Sequence, residues 1–571
     1  MYDSLLDLSN DLPPEYNCKL QAYADDTILA ITHKNQETLQ VRANEILDKI
    51  FKWSEDRKLK INFDKCSCIV FPKKTPLNKG PIIKMNGKRI KNTKSVKYLG
   101  VILDESLTWK ENTHYIYEKA ITAMHALNSI ARNRWGYGSR SSRLLYTAVI
   151  EPILSYGSEI WGTEVEKTYI KRKLLSAQRL SAITATKAYK TAPTEALLII
   201  ANLIPIDLVI KEKVWNYLQL KLVDESITIE SFTRHTKQMG VYPTAKNIAE
   251  HLSINKLDHT PHHHAYHPAV SILDLFNTNT SADHNSLCLF TDGSKSDEGV
   301  GCAFVAMNAN NTLHQARYRL ADHCTANQAE SYAIYKALSW IKDKRLSLNI
   351  KSVTVLSDSR VALQQIKKMN TKLNIINSTV KILLELQEYI SIKLAWVKGH
   401  SNIKGNERAD LLARSAPSWI SNCSFDNTPL SWVKQNIRGF IKDTWQKRWD
   451  DGTTGRTTHE FIPDVHQRNN CKHFVTTFPL TQLLTGHGNL RCYLRRFLRK
   501  TDGLCQCQLN EEDTPSHVIY ECPNHRNQRK TLIDTIRKEN ELWPCQMKTL
   551  INNKRIFKAF KDFATSITIL N

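Results

Sequence analysis

The sequence is poor in the residues that loosen a chain, with 19 Gly and 18 Pro among 571 residues against 41% hydrophobic and 24% charged. That balance excludes a mostly disordered protein, and the length predicts about three or four domains. No apolar run approaches the roughly 18–20 residues that a membrane-spanning helix needs, so no membrane partner is expected. The N-terminus, MYDSLLDLSNDLPPEY, is acidic where a secretory leader is basic and then apolar. Disulfide-style cysteine usage is lacking too: thirteen cysteines, an odd number and mostly scattered, fit a reducing, intracellular compartment. There is no internal repeat at solenoid periods. The largest deficit is in acid: 56 Asp and Glu stand against 79 Lys and Arg, a formal net charge of +23. A surplus of that size favours polyanionic partners, RNA and DNA first, through phosphate neutralisation and counterion release.

Residues 1–110 read as mixed α and β, with a helix predicted from Glu37 to Arg57 on the spacing of Leu39, Ile46, Ile50 and Trp53. Residues 111–225 read as mainly helical, including Ile116–Ala131 and Ser142–Ile153, the second ending near Pro152. Residues 226–284 turn polar and are read as a linker; the run His262-His263-His264 with His267 has no Cys or carboxylate to frame a metal. From 285 to 417 the pattern alternates. A hairpin is predicted from Leu287–Thr291, a turn carrying Gly293, and Val300–Ala306. A helix follows over Gln328–Asp343, then a strand at Val353–Leu356, a helix from Arg360, a strand at Ile392–Val397 and a helix beginning around Glu407–Arg414. Hairpins mixed with helix crossovers predict an α/β layer fold. Residues 418–571 form a basic C-terminal region.

Four acids stand at the edges of these elements. Asp292 ends a predicted strand and shares a face with Cys288 and Phe290 by the two-residue strand period. Glu330 is aligned with the helical stripe Ile334, Leu338, Ile341, where an uncompensated carboxylate costs free energy. Asp358 lies just past the C-terminal end of a strand, where open α/β sheets place their sites. Asp410 sits near a helix start, ten residues after His400. Two unit charges about 4 Å apart at an effective dielectric near 20 repel by roughly 4 kcal/mol. Convergence of such acids therefore points to divalent cations, and hard oxygen ligands select Mg²⁺ or Mn²⁺. Singly, each acid is a surface charge or a helix cap; together they point to a two-ion phosphodiester site.

The flanking words carry a resemblance. The segments Thr291-Asp292-Gly293-Ser294, Thr325-Ala326-Asn327-Gln328-Ala329-Glu330, Leu356-Ser357-Asp358-Ser359, Trp396-Val397-Lys398-Gly399-His400 and Gly405-Asn406-Glu407-Arg408-Ala409-Asp410 resemble a type 1 ribonuclease H over about 130 residues. The resemblance implies a mixed five-stranded sheet with helices and cleavage of the RNA strand of RNA–DNA hybrids. It implies two Mg²⁺ (or Mn²⁺) ions held by Asp292, Glu330, Asp358 and Asp410, with His400 on a mobile loop assisting proton transfer or product release. Asn327 and Gln328 fall where that family contacts the hybrid's minor groove, and amide side chains there suit the RNA 2′-OH.

Near the start, Ala22-Tyr23-Ala24-Asp25-Asp26-Thr27 places paired aspartates on a predicted tight hairpin, an arrangement suited to metals at a nucleotidyl-transfer site. With Leu59–Lys65, Ile69-Val70-Phe71 and Lys97–Asp104 it is similar to the C-terminal half of a non-LTR (LINE-like, jockey or R1 type) reverse transcriptase. The resemblance implies a truncated palm over 1–110, with Asp25 and Asp26 at its metals, and a thumb or connection over 111–225. Only 22 residues precede Tyr23, too few for the remaining fingers and palm. The expectation is a polyprotein fragment without useful DNA synthesis of its own.

At the C-terminus, Cys505-x-Cys507, His517 and Cys522 offer three thiols and an imidazole, a set suited to tetrahedral Zn²⁺, and His525 could replace one of them. The arrangement is similar to the CCHC-type tail of R1- and jockey-like elements, which predicts a small helical zinc-binding region. Upstream, Arg491, Arg495, Arg496, Arg499 and Lys500 are interleaved with Tyr493 and Phe497. Cations with stacking rings suit a nucleic-acid surface; the other reading is a core stripe of Leu494, Phe497 and Leu498 with arginines facing water. Two functions follow, an active hybrid nuclease and a catalytically idle nucleic-acid binder. The retention of all four acids favours the nuclease.

Overall fold

The computed structural model describes residues 3–8, 13–72, 80–129, 138–223, 226–241, 244–251, 257–260, 287–309, 311–369, 371–399 and 401–570. The histidine run at 262–267, and with it most of the expected linker, lies outside them. Among the described residues no helix is long and apolar enough to cross a membrane. The chain divides into two compact units, one of residues 1–161, 165–207 and 449–571, the other of 162–164 and 208–448.

The units cut across two of the expected segments, dividing 111–225 between residues 207 and 208 and 418–571 between residues 448 and 449. The helix Thr194–Ala201 (TEALLIIA) is apolar and buried around its whole girth from Ala196 onward. Such a helix must be covered on all sides. Residues far along the chain do so. Arg468 donates to the Ile200 carbonyl at 2.7 Å, and at the end of the preceding helix, Thr168–Thr186, Thr476 donates to the Ala185 carbonyl at 3.0 Å and Thr481 to that of Thr186 at 2.7 Å. In the same unit, Cys18–Tyr23 and Asp26–Ile31 pair as an antiparallel hairpin. The helix Gln36–Asp56 packs over it through Ile46, Ile50 and Trp53 against Leu20. The helix predicted over Ser142–Ile153 with its end near Pro152 is found as Ser139–Leu145, a wide turn over Tyr146–Ile150 and Glu151–Leu154, which ends two residues past Pro152.

In the second unit the polar 226–284 stretch is not wholly linker, because Ile229–Gln238 and Thr244–His251 are helices. Phe232 and Thr236 are buried in the first, which gives it an apolar face that the polar composition conceals. The layered domain follows. Its strands are β1 (Leu287–Ser296), β2 (Gly299–Asn308), β3 (Asn311–Leu320), β4 (Ser352–Ser357), β5 (Ser391–Trp396) and β6 (Cys423–Phe425). Its helices are α1 (Ala326–Lys344), α2 (Arg360–Lys368), α3 (Asn374–Gln387) and α4 (Lys404–Trp419). The sheet order is β5-β4-β1-β2-β3-β6, so the sheet has six strands where five were expected. β1, β2 and β3 form an antiparallel meander, whereas β4 and β5 run parallel to β1. The extra strand, β6, runs parallel to β3 at the far edge.

Both faces of the sheet are covered, as the strand period requires. Leu287 and Leu289 pack with α1, α2 and α3, through Ile334, Leu338 and Ile341 among others. Cys288 and Phe290 pack on the opposite face with Ala409, Leu412 and Ala413 of α4. The parallel connections bring the C-terminal end of β4 beside β1, and that juncture is where the acids meet.

Candidate active site

β1 does not end at Thr291. It runs through Asp292, which lies opposite Ala303 of β2, and the chain turns only at Asp297–Glu298. Gly293 reads as a turn residue in the sequence but serves another purpose. A Cβ there would collide with the Glu330 amide nitrogen and the Ala329 backbone. The missing side chain lets the first turn of α1 sit directly on β1. That close approach sets Glu330 beside Asp292. Asp358 directly follows β4 in the next strand position. A second glycine, Gly399, comes close to it, since a Cβ at that position would lie 2.8 Å from the Asp358 Oδ2.

One carboxylate oxygen from each of Asp292, Glu330 and Asp358 lies within 4.8 Å of the others. Asp292 is 5% exposed, and burial, followed by the charges of Asp358 and Asp410, raises its pKa to about 7. Glu330 is pushed well above the usual carboxylate range, first by burial and then by Asp292 and Asp358. Its Oε2 is buried with no hydrogen-bond partner. The three acids thus form a cluster that favours a proton or a cation over its own ionised form.

Asp410 lies on α4 outside that trio, and its charge acts on both Asp292 and Glu330. Its Oδ1 accepts from the Arg414 Nε at 2.8 Å, one helical turn on. Arg414 also lowers the Asp292 pKa, in opposition to burial. The sequence reading missed Arg414, although an acid and a base four residues apart on a helix were the signal for it. His400 lies outside the described residues. Asn327 is exposed in the first turn of α1.

Gln328 corrects the sequence reading. It is 6% exposed, and its side chain is consumed inside the domain. It closes a capping box with Thr325 and donates through Nε2 to Asp258 Oδ2 at 2.9 Å and to the Asn427 carbonyl at 3.1 Å. Asp258 in turn accepts from the Ile375 amide at the start of α3. This amide fixes helix starts and is not offered to a ligand.

In the first unit, Asp25 and Asp26 sit at the tip of the hairpin, where Tyr23 pairs with Asp26 across a two-residue turn. Both are exposed, and no third acid completes a metal group with them among the described residues.

Near the C-terminus, Cys505, Cys507, His517 and Cys522 gather within 4.8 Å. The Cys505 and Cys522 sulfurs lie 3.6 Å apart, and the Cys507 sulfur lies 3.4 Å from His517 Nε2. A tetrahedron with Zn–S arms of about 2.3 Å has edges of roughly 3.8 Å. His517 Nδ1 faces Glu511 and Glu521 at 3.1 and 3.4 Å, which directs Nε2 at the sulfurs. His525 is not in the group. Of the basic residues upstream, Arg491 pairs with Asp502 at 2.9 Å and Arg495 with Glu512 at 3.5 Å, so both are engaged internally. Arg496 lies over Phe497 at 5.5 Å. Phe497 and Leu498 are exposed, against the core-stripe reading for those two side chains.

Residues 284–418 match the RNase H family model. They are a ribonuclease H domain. Residues 2–103 match the reverse transcriptase (RNA-dependent DNA polymerase) model. The ribonuclease H domain therefore follows a reverse transcriptase segment in one chain, and the expectation of absent DNA synthesis draws no support from that finding. The chain is similar to the retrovirus-related Pol polyprotein from the type-1 retrotransposable element R1 of Bradysia coprophila, 25% identical over 33% of this chain and 19% of the relative. It is also similar to the RNA-directed DNA polymerase from the mobile element jockey of Drosophila melanogaster, 27% identical over 31% of this chain and 19% of the relative. An R1 polyprotein of Nasonia vitripennis is 30% identical over 24% of this chain and 34% of the relative. The chain thus spans about a fifth of the length of the first two. Among solved structures, the RNase H1 of Halobacterium salinarum NRC-1 aligns at 19% identity over 23% of this chain and 98% of that one, with a TM-score of 0.20.

Proposed function

We propose that the ribonuclease H domain cuts the RNA strand of RNA–DNA hybrids internally, as part of a retrotransposon-type polyprotein, with Asp292, Glu330, Asp358 and Asp410 as ligands for two Mg²⁺ or Mn²⁺ ions. The observation that carries this reading is the meeting of three acids from separate elements around a buried carboxylate oxygen that has no partner. Hard, crowded, partly desolvated oxygens suit a small divalent cation better than any other occupant. Such ions, when bound, activate water and stabilise the leaving oxygen of a phosphodiester. Asp292 and Glu330 are fixed by the Gly293 contact, Asp358 by the end of β4, and Asp410 is held in orientation by Arg414. Asn327 is exposed beside Glu330 on α1, which supports its assignment to the RNA 2′-OH in the minor groove. His400 assists proton transfer or product release.

The test is cleavage of an end-labelled RNA–DNA hybrid by the full chain with Mg²⁺, beside RNA duplex, DNA duplex and the Asp358→Asn variant. Cleavage confined to the hybrid and lost in the variant supports the proposal. Hybrid binding without cleavage in the wild type selects the idle binder instead.

A second site has its own observation. Cys505, Cys507, His517 and Cys522 hold Zn²⁺, with Glu511 and Glu521 orienting the histidine. Metal analysis of the purified chain should give one zinc, lost in Cys507→Ser. A chain with no stoichiometric zinc removes this assignment.

A further inference from the structure

The first unit holds an open cavity of about 100 Å³, lined by none of the residues of the two candidate metal sites. Four cationic side chains line it, Arg140, Arg143, Arg468 and Lys472, and no Asp or Glu is among its lining residues. They come from two distant stretches of chain, 139–143 and 468–476, with uncharged residues of 185–202 between them in the lining, so the cluster is a product of folding and not of a local charge run. Arg468 is 7% exposed. Its Nη2 donates to the Ile200 carbonyl at 2.7 Å and its guanidinium lies 4.0 Å from the centre of the Phe474 ring. Its Nε is buried without an acceptor. Burial, with Arg143 adding like charge, lowers its pKa to about 10. Arg140 is tied to the rim by donating to the Lys472 carbonyl at 2.6 Å. Glu151 is the one acid that acts on Arg143, and it does not line the cavity.

A buried guanidinium with an orphaned N–H costs free energy unless an anion offsets it. Capping the helix end at Ile200 accounts for one nitrogen and the ring for one face. Neither accounts for the free Nε or for three more cations around the same space. Arginine forks match the oxygens of a phosphate group, in geometry as well as charge. At about 100 Å³ the cavity has room for a tetrahedral oxyanion.

We propose that Arg140, Arg143, Arg468 and Lys472 form a binding site for a single phosphate group, with the remainder of any larger ligand lying outside the cavity. The site is independent of the nuclease reading. Its ligand is either inorganic phosphate or a phosphate carried by a polynucleotide.

The test is calorimetric titration of the full chain with inorganic phosphate at low ionic strength, followed by competition with single-stranded DNA bearing a 5′-phosphate or a 5′-hydroxyl. Arg140→Gln with Arg143→Gln should weaken phosphate binding by at least about tenfold, the usual weight of lost charge-assisted contacts. Both residues are exposed at the rim, so the fold should survive. Lys554→Gln with Lys558→Gln, equal in charge and distant in sequence, should bind as the wild type does. Arg468→Gln should abolish binding, with circular dichroism reporting whether that variant is folded. Displacement by the 5′-phosphorylated strand alone identifies a terminal phosphate, and displacement by both strands a backbone phosphate. Displacement by neither identifies free phosphate. No measurable phosphate binding overturns the proposal, as does equal binding in the wild type and the Arg140/Arg143 double variant.

Discussion

Replacing Asp292 with asparagine removes one charge from a crowded, buried group of acids while keeping the side chain's shape. In the metal-free fold its pKa stands at about 7 against an ordinary 3.8. About three pKa units at 1.36 kcal/mol each amount to roughly 4 kcal/mol of preference for the protonated form. The sign follows from proton counting. Between pH ~4 and ~7 the folded chain holds a proton at Asp292 that the unfolded chain has released, so the Asp292 contribution to metal-free stability falls as pH rises through that window and levels off above it. A divalent cation cancels the repulsion and restores stability at high pH; Asp292→Asn removes the same repulsion without a cation. The assay is amide hydrogen exchange of the full chain, read by mass spectrometry over β1 and β4 at pH 5 and pH 8, with chelator or with Mg²⁺, and corrected for intrinsic exchange. Wild-type protection should drop at pH 8 in chelator and recover with Mg²⁺. The variant should be better protected than wild type in chelator at pH 8, respond little to Mg²⁺, and fail to cut hybrid. If wild-type protection is the same at both pH values and indifferent to Mg²⁺, the acids are not an ion-binding cluster and the reasoning fails.

Two further outcomes follow from the same geometry. Gly293→Ala puts a methyl group against the backbone of Ala329 and Glu330, so it should destabilise the domain by about 1–3 kcal/mol and remove cleavage, while Gly439→Ala, where nothing lies within 4 Å, should leave hybrid cleavage intact. Urea unfolding followed by tryptophan fluorescence, together with the hybrid assay, would check both. Gln328→Ala should lower stability by about 1–3 kcal/mol, because it strips a partner from the buried Asp258, yet leave the KM for hybrid unchanged; a rise in KM at unaltered stability would return this residue to the substrate interface.

What was legible in the sequence was local. Each acid sits in a short word whose neighbours state its element, so Asp292, Glu330, Asp358 and the helix carrying Asp410 could be placed before any contact was known. The misreadings have tertiary causes. Gly293 was read as a turn because glycine usually marks one, but here the residue that needs the space is on α1, 37 positions away at Glu330. β3 was missed because half of Asn311–Leu320 is exposed and its apolar alternation is faint. The α3 helix carried its signal openly, in Ile376, Val380 and Leu383, and lacked only a side-chain cap to announce its start. Gln328 shows how two readings of one residue separate. An amide two places from an acid of the cluster suggests substrate, whereas Thr325-x-x-Gln328 is also a capping box, and that second pattern was visible in the sequence throughout. Long-range assembly left no such trace. The apolar run at 194–201 says that it must be buried but not by what, and its cover arrives some 270 residues later with Arg468. That a guanidinium provides part of this cover is the anomaly. A helix buried on every side would ordinarily be closed by apolar groups, and a charge held there carries a desolvation cost, which is what the proposed phosphate would offset.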